Sequence, residues 1–124
     1  MVNVAGLVAV GLGAVLGAWS RWVLGLWLNT GERAMPWGTL LANLAGGLLI
    51  GVAVAWFTRH PQLDPAWRLF AITGFLGALT TFSSFSIESL GMLQRGAFGL
   101  ALAHTGLHVF GSLAAAAIGY RLAS

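Results

Sequence analysis

The residues able to do chemistry are few, polar and set among apolar neighbours. The densest run is Thr73 to Glu88, which reads TGFLGALTTFSSFSIE. Gly74, Gly77, Thr80 and Thr81 cluster at its centre, and glycine and β-branched residues hold a helix weakly. Unwound backbone in apolar surroundings exposes carbonyls, and carbonyls coordinate cations. An intact helix packed tightly at its glycines is the other reading of the same residues. Phe82 and Phe85 are i,i+3 neighbours and share a helix face. A phenyl ring has a positive edge, so two rings presented edge-on can hold a small anion; simple packing is the plainer role of such a pair. Thr81, Ser84 and Glu88 form an adjacent polar stripe. Elsewhere, the Asn43 amide donates two hydrogen bonds and accepts others, and interhelical glue is its plainer role. His104, His108 and Ser112 stack at i, i+4, i+8. Two histidines at that spacing can bind a metal, with Glu88 as third ligand only if it faces them. Arg21 lies near the end of an apolar run, where it either snorkels to the interface or sets a positive field that draws anions. Ser, His and Glu all occur, but nothing in their spacing places them as a nucleophilic triad.

The elements that carry these residues follow from composition. The chain has 124 residues, of which 58 % are apolar and 7 % charged, and a mean hydropathy of +0.86. A soluble domain carries roughly 25 % charge, so a water-facing globule is excluded. Disorder is excluded as well, since it needs low hydrophobicity. The net charge of +3 comes from arginines scattered one at a time. That gives no basic patch and no nucleic-acid partner. Four stretches reach the roughly 20 apolar residues that a bilayer span requires. They predict one transmembrane domain over 1–124, with helices at about 4–28, 37–57, 67–93 and 97–120. Period-two alternation is absent, which argues against a membrane barrel. No basic residue precedes the first apolar run, so it reads as a retained helix rather than a signal peptide. Trp22, Trp27, Trp37, Trp56 and Trp67 fall near span ends, at headgroup level.

The arginines divide evenly. Arg59, Arg68 and Arg121 belong to the side of the termini, and Arg21, Arg33 and Arg95 to the other. The positive-inside rule then gives no orientation, and a chain that inserts both ways can pair with itself antiparallel. Gly13-xxx-Gly17, Gly47-xxx-Gly51 and the Gly111, Ala115, Gly119 series let helix backbones approach closely. The spacing leaves open whether they pack one chain or join two.

Three motifs, in order and in three different helices, give the chain a resemblance. Gly11 to Arg21 reads GLGAVLGAWSR, Gly38 to Gly46 reads GTLLANLAG, and Gly74 to Phe85 reads GFLGALTTFSSF. The sequence resembles the Fluc/CrcB fluoride channels, whose third motif is G-F-x-G-G-x-T-T-F-S-T-F. The resemblance implies an all-α membrane protein of four helices, the third broken near its middle. It also implies an antiparallel, dual-topology homodimer with two pores, in a cell inner or plasma membrane. It makes fluoride the transported ion, moving passively, and places a structural Na+ at the centre, held at Gly77 and Thr80. Along the fluoride path it places Asn43, Thr81, Phe82, Ser84, Phe85, Glu88, His104, His108 and Ser112, with Arg21 at a pore vestibule. This chain departs from the family at Ala78, in place of the second glycine, and at Ser84, in place of threonine. His104 and His108 occupy positions often held by an aromatic such as tyrosine and by serine, and an imidazole charges in acid. The competing readings are a small multidrug-resistance-type proton-coupled exporter working through Glu88, a metal permease using His104, His108 and Glu88, and a structural subunit. An enzyme is not expected.

Overall fold

The computed structural model describes residues 1–31 and 34–124, so the arginine balance drawn from Arg33 falls outside the described residues. Among the described residues four helices are long and apolar enough to cross a membrane: α1 (Val4–Leu28), α2 (Trp37–Arg59), α3 (Pro65–Gln94) and α4 (Phe98–Ala123). The starts of α1, α2 and α3 are capped by side chains. The Asn3 side chain accepts from Gly6 N at 2.6 Å to cap α1. Asp64 accepts from Ala66 N at 2.9 Å to cap α3, and Pro65 occupies the first turn, where its missing N–H is harmless. Pro36 offers α2 no side-chain cap; that helix is capped from the end of α1. Asn29 Oδ1 accepts from Gly38 N at 2.7 Å and Thr39 N at 3.2 Å. Helices α2, α3 and α4 extend a few residues beyond the apolar stretches, as polar ends such as Arg59 and Gln94 continue the turn.

Packing joins alternate helices. The first half of α3 lies against α1, the second half of α4 lies against α2, and residues 82–94 of α3 meet chiefly the start of α4. Both main seams are built on glycine. A Cβ at Gly17 would strike the Phe75 carbonyl oxygen and stand 2.9 Å from Leu79 N; one at Gly51 would strike Ala116 O and stand 2.7 Å from Tyr120 N. Gly119 meets Leu48 O in the same way. The glycine pairs thus pack this chain against itself, and close backbone contact replaces the hydrophobic drive that lipid removes. A small core of Ala42, Leu76 and Leu79 sits where the layers meet. Large apolar side chains cover most of the outer surface, Phe82 (79 % exposed) and Phe110 (73 %) among them.

Helix α3 is not uniform. Leu69–Leu76 is wound in wider i to i+5 turns, a form associated with functional sites. Gly77–Leu79 makes one tighter turn. Thr80 (φ −83°, ψ 152°) and Thr81 (φ −149°, ψ 115°) then have extended backbone, and Phe82–Gln94 is helical again. Thr81 caps this last segment, its Oγ1 accepting from Ser84 N at 3.0 Å.

Candidate functional site

The site forms around Thr81. In a continuous helix its N–H would bond to the Gly77 carbonyl. Instead it donates to Asn43 Oδ1 at 2.7 Å, and Asn43 Nδ2 donates back to Thr81 O at 3.0 Å. This two-way bond satisfies backbone that has left the helix, and it fixes which end of the amide is nitrogen. Asn43 Nδ2 also lies 3.0 Å from His108 Nδ1. Since Nδ2 only donates, His108 Nδ1 must accept, and the ring proton therefore sits on Nε2. His108 Nε2 is, among the described residues, the one buried side-chain nitrogen or oxygen with no hydrogen-bond partner. A buried donor left bare is costly unless a ligand takes it.

Beside it runs a groove of about 570 Å³, lined by Asn43, Gly77, Thr80, Thr81, Phe82, Phe85, His108 and Ser112, among others. Phe82 and Phe85 stand 5.4 Å apart between centroids, tilted by 49°. The His104 ring stacks flat on Phe85 at 5.1 Å and 9°. It covers one face of that phenyl ring, whose side chain lines the groove.

Behind Phe85 a second network runs outward to the end of α1. His104 is fully buried. Its Nε2–H donates to Glu88 Oε1 at 3.2 Å, and the Ser89 hydroxyl donates to its Nδ1 at 2.9 Å. Thr39 Oγ1 donates to the other carboxylate oxygen, Oε2, at 2.6 Å, and Asn29 Nδ2 donates to Thr39 Oγ1 at 3.1 Å. Ser89, His104 and Glu88 are thereby connected in the order of a nucleophilic triad. Here the relay holds rings in place beneath Phe85.

Glu88, His104 and His108 do converge, with ligand atoms within 4.8 Å of one another. The proton positions fit a metal poorly. Both His104 nitrogens are engaged. A metal on His108 Nε2 would move the proton to Nδ1, donor against donor with Asn43 Nδ2. The arrangement suits an anion.

The structure therefore gathers Asn43, Thr81, Phe82, Phe85, His108 and Ser112 with Gly77 and Thr80 on one groove, and puts Glu88 and His104 directly behind it. Ser84 adjoins through its N–H bond to Thr81. Arg21 stands apart, its Nε 3.0 Å from Ala78 O. Sequence reasoning missed Thr39, Asn29 and Ser89. Thr39 was within reach, because it lies one turn before Asn43 on the same face of α2. Ser20, Ser86 and Thr58 simply bond to carbonyls four residues back.

The four-span helical chain thus gathers its polar groups along one groove, with Phe82, Phe85 and the unpartnered Nε2 of His108 beside them. Residues 8–120 match the family described as CrcB-like protein, Camphor Resistance (CrcB), and the chain belongs to that family. Relatives named "Fluoride-specific ion channel FluC" are close over most of their length. The protein from Cupriavidus pinatubonensis is 58 % identical over 120 residues, covering 94 % of this chain and 95 % of the relative. That from Marinobacter nauticus is 55 % identical over 114 residues (92 % and 90 %). That from Bordetella pertussis is 58 % identical over 113 residues (90 % and 86 %). The chain is a multi-pass membrane protein of a channel family.

Proposed function

We propose that the protein is a fluoride channel that lets F− move passively down its electrochemical gradient and so lowers cytoplasmic fluoride. The observation that carries this reading is the unpartnered Nε2–H of His108, set beside two phenyl rings in one groove. Fluoride is small and strongly hydrated, so a path must replace its water with several close donors, none strong enough to trap it. His108 Nε2, the hydroxyls of Thr81, Ser84 and Ser112, and the edges of Phe82 and Phe85 supply neutral donors, while Asn43, its two amide protons given to Thr81 O and His108 Nδ1, keeps the His108 ring in its donating form. Glu88 and His104 hold them in position from behind.

The functional unit in this reading is an antiparallel homodimer of dual topology with two pores. The exposed rings of Phe82 and Phe110 suit burial against a second copy. Helix α3 is broken at Thr80 and Thr81 for a purpose: the amides that would serve the carbonyls of Gly77 and Thr80 are diverted, to Asn43 Oδ1 and to Thr81 Oγ1. These two carbonyls fit a structural Na+ at the dimer centre. When bound, the ion supplies a fixed positive charge that the surrounding carbonyls offset. The exporter reading needs Glu88 to exchange protons with a cation, and both carboxylate oxygens already hold hydrogen bonds. The test is efflux from liposomes followed with a fluoride electrode, with a potassium ionophore present. Rapid fluoride loss without chloride loss is expected. No flux from folded protein overturns the proposal.

A further inference from the structure

The extended backbone at Thr80 and Thr81 removes a third helical donor. In a continuous helix the Ala78 carbonyl would accept from Phe82 N–H, which the extended residues carry away. The vacancy is filled from another helix, by Arg21 Nε at 3.0 Å. Arg21 follows Gly17 by one turn, on the same face of α1. At Gly17 that face has no slack, because a Cβ would meet Phe75 O and Leu79 N. The guanidinium is thus delivered to Ala78 by a tightly fixed seam. Its neighbours on α3, the carbonyls of Gly77 and Thr80, receive no such donor.

We infer that Arg21 is a positioning residue whose Nε–H replaces the missing helical donor at Ala78 and so holds the Gly77–Thr81 segment in register with Asn43 and the groove. The role belongs to the donor atom and not to the positive charge. A vestibule role, in which the charge draws anions, makes the opposite prediction.

Two substitutions separate donor from charge. Arg21→Gln places a neutral N–H on the same Cδ that carries Arg21 Nε. Arg21→Lys keeps the charge and moves the nitrogen one bond further out. With fluoride efflux as the readout, which rests on the channel reading above, the Arg21→Gln protein is expected within about threefold of wild type, and the Arg21→Lys protein slower by about tenfold, the scale of one intramolecular hydrogen bond lost. Amide hydrogen exchange at Thr80–Ser84 in detergent gives a readout independent of transport. Exchange is expected at the wild-type rate in the Arg21→Gln protein and about tenfold faster in the Arg21→Lys protein. The reverse order, or equal behaviour of the two variants, overturns the inference. Absence of fluoride flux in wild type would sink the channel reading alone, and the exchange rates would still decide the role of Arg21.

Discussion

Asn43→Asp tests the proton placement on which the groove depends. The change keeps shape and keeps the acceptor for Thr81 N–H. It replaces the Nδ2 donor with an oxygen that faces Thr81 O and His108 Nδ1, each 3.0 Å from Nδ2 in the native protein. The contact with His108 is restored only if the ring proton moves to Nδ1, which leaves a bare acceptor at Nε2 in the groove. An anion then loses one donor, worth about 1.5–3 kcal/mol. It also feels a carboxylate roughly 8 Å away across the ring, a repulsion of about 2 kcal/mol at an effective dielectric of about 20. The sum is roughly 4 kcal/mol, so fluoride flux should fall on the order of a thousandfold. Nitrogen-15 NMR of histidine-labelled protein in nanodiscs reads the tautomer directly. Wild-type His108 should carry its proton on Nε2 and the variant on Nδ1. A wild-type proton on Nδ1, or an Asn43→Asp protein with unchanged tautomer and flux, refutes the reasoning.

Phe82→Ile removes a polarised ring edge and should reduce fluoride flux sharply, with the elution volume of the purified protein unchanged; wild-type flux would remove Phe82 from the path. Gly17→Ala forces a Cβ into the Phe75 carbonyl and should cost about 1–3 kcal/mol of stability, seen as a lower midpoint of thermal unfolding in detergent. Gly99→Ala meets nothing within 4 Å and should be neutral or stabilising by up to about 1 kcal/mol.

The four spans are legible because a bilayer demands apolar length, and 7 % charge leaves no other solvent for this chain. Their pairing is not legible. A glycine every fourth residue suits any helix seam, and only the fold shows that Gly17 faces Phe75 and Gly51 faces Ala116. The residues lining the groove could be named from type and motif. Their wiring could not. Asn43 and Thr81 are 38 positions apart, and no periodicity records a bond that replaces a helical one. Asn29 reads as a polar break after α1, yet it caps α2 and supports Thr39, two tasks that exist only once the helices meet. The meeting of Glu88 with His104 depends on how the first half of α4 settles on residues 82–94, a contact set by packing and not by pattern.

The pairing of alternate helices bears on how the chain is made. Helix α1 leaves the ribosome with its glycine ridge facing nothing, and its chief partner follows only after α2 has been synthesised. Helix α2 waits in turn for the last residues of α4. No two consecutive spans complete a main seam, so the early spans must pass into lipid separately and find their partners later. Contacts between segments distant in sequence form slowly. A nascent chain stalled before α3 would hold two spans with unfilled seams, the exposed state that quality-control proteases recognise.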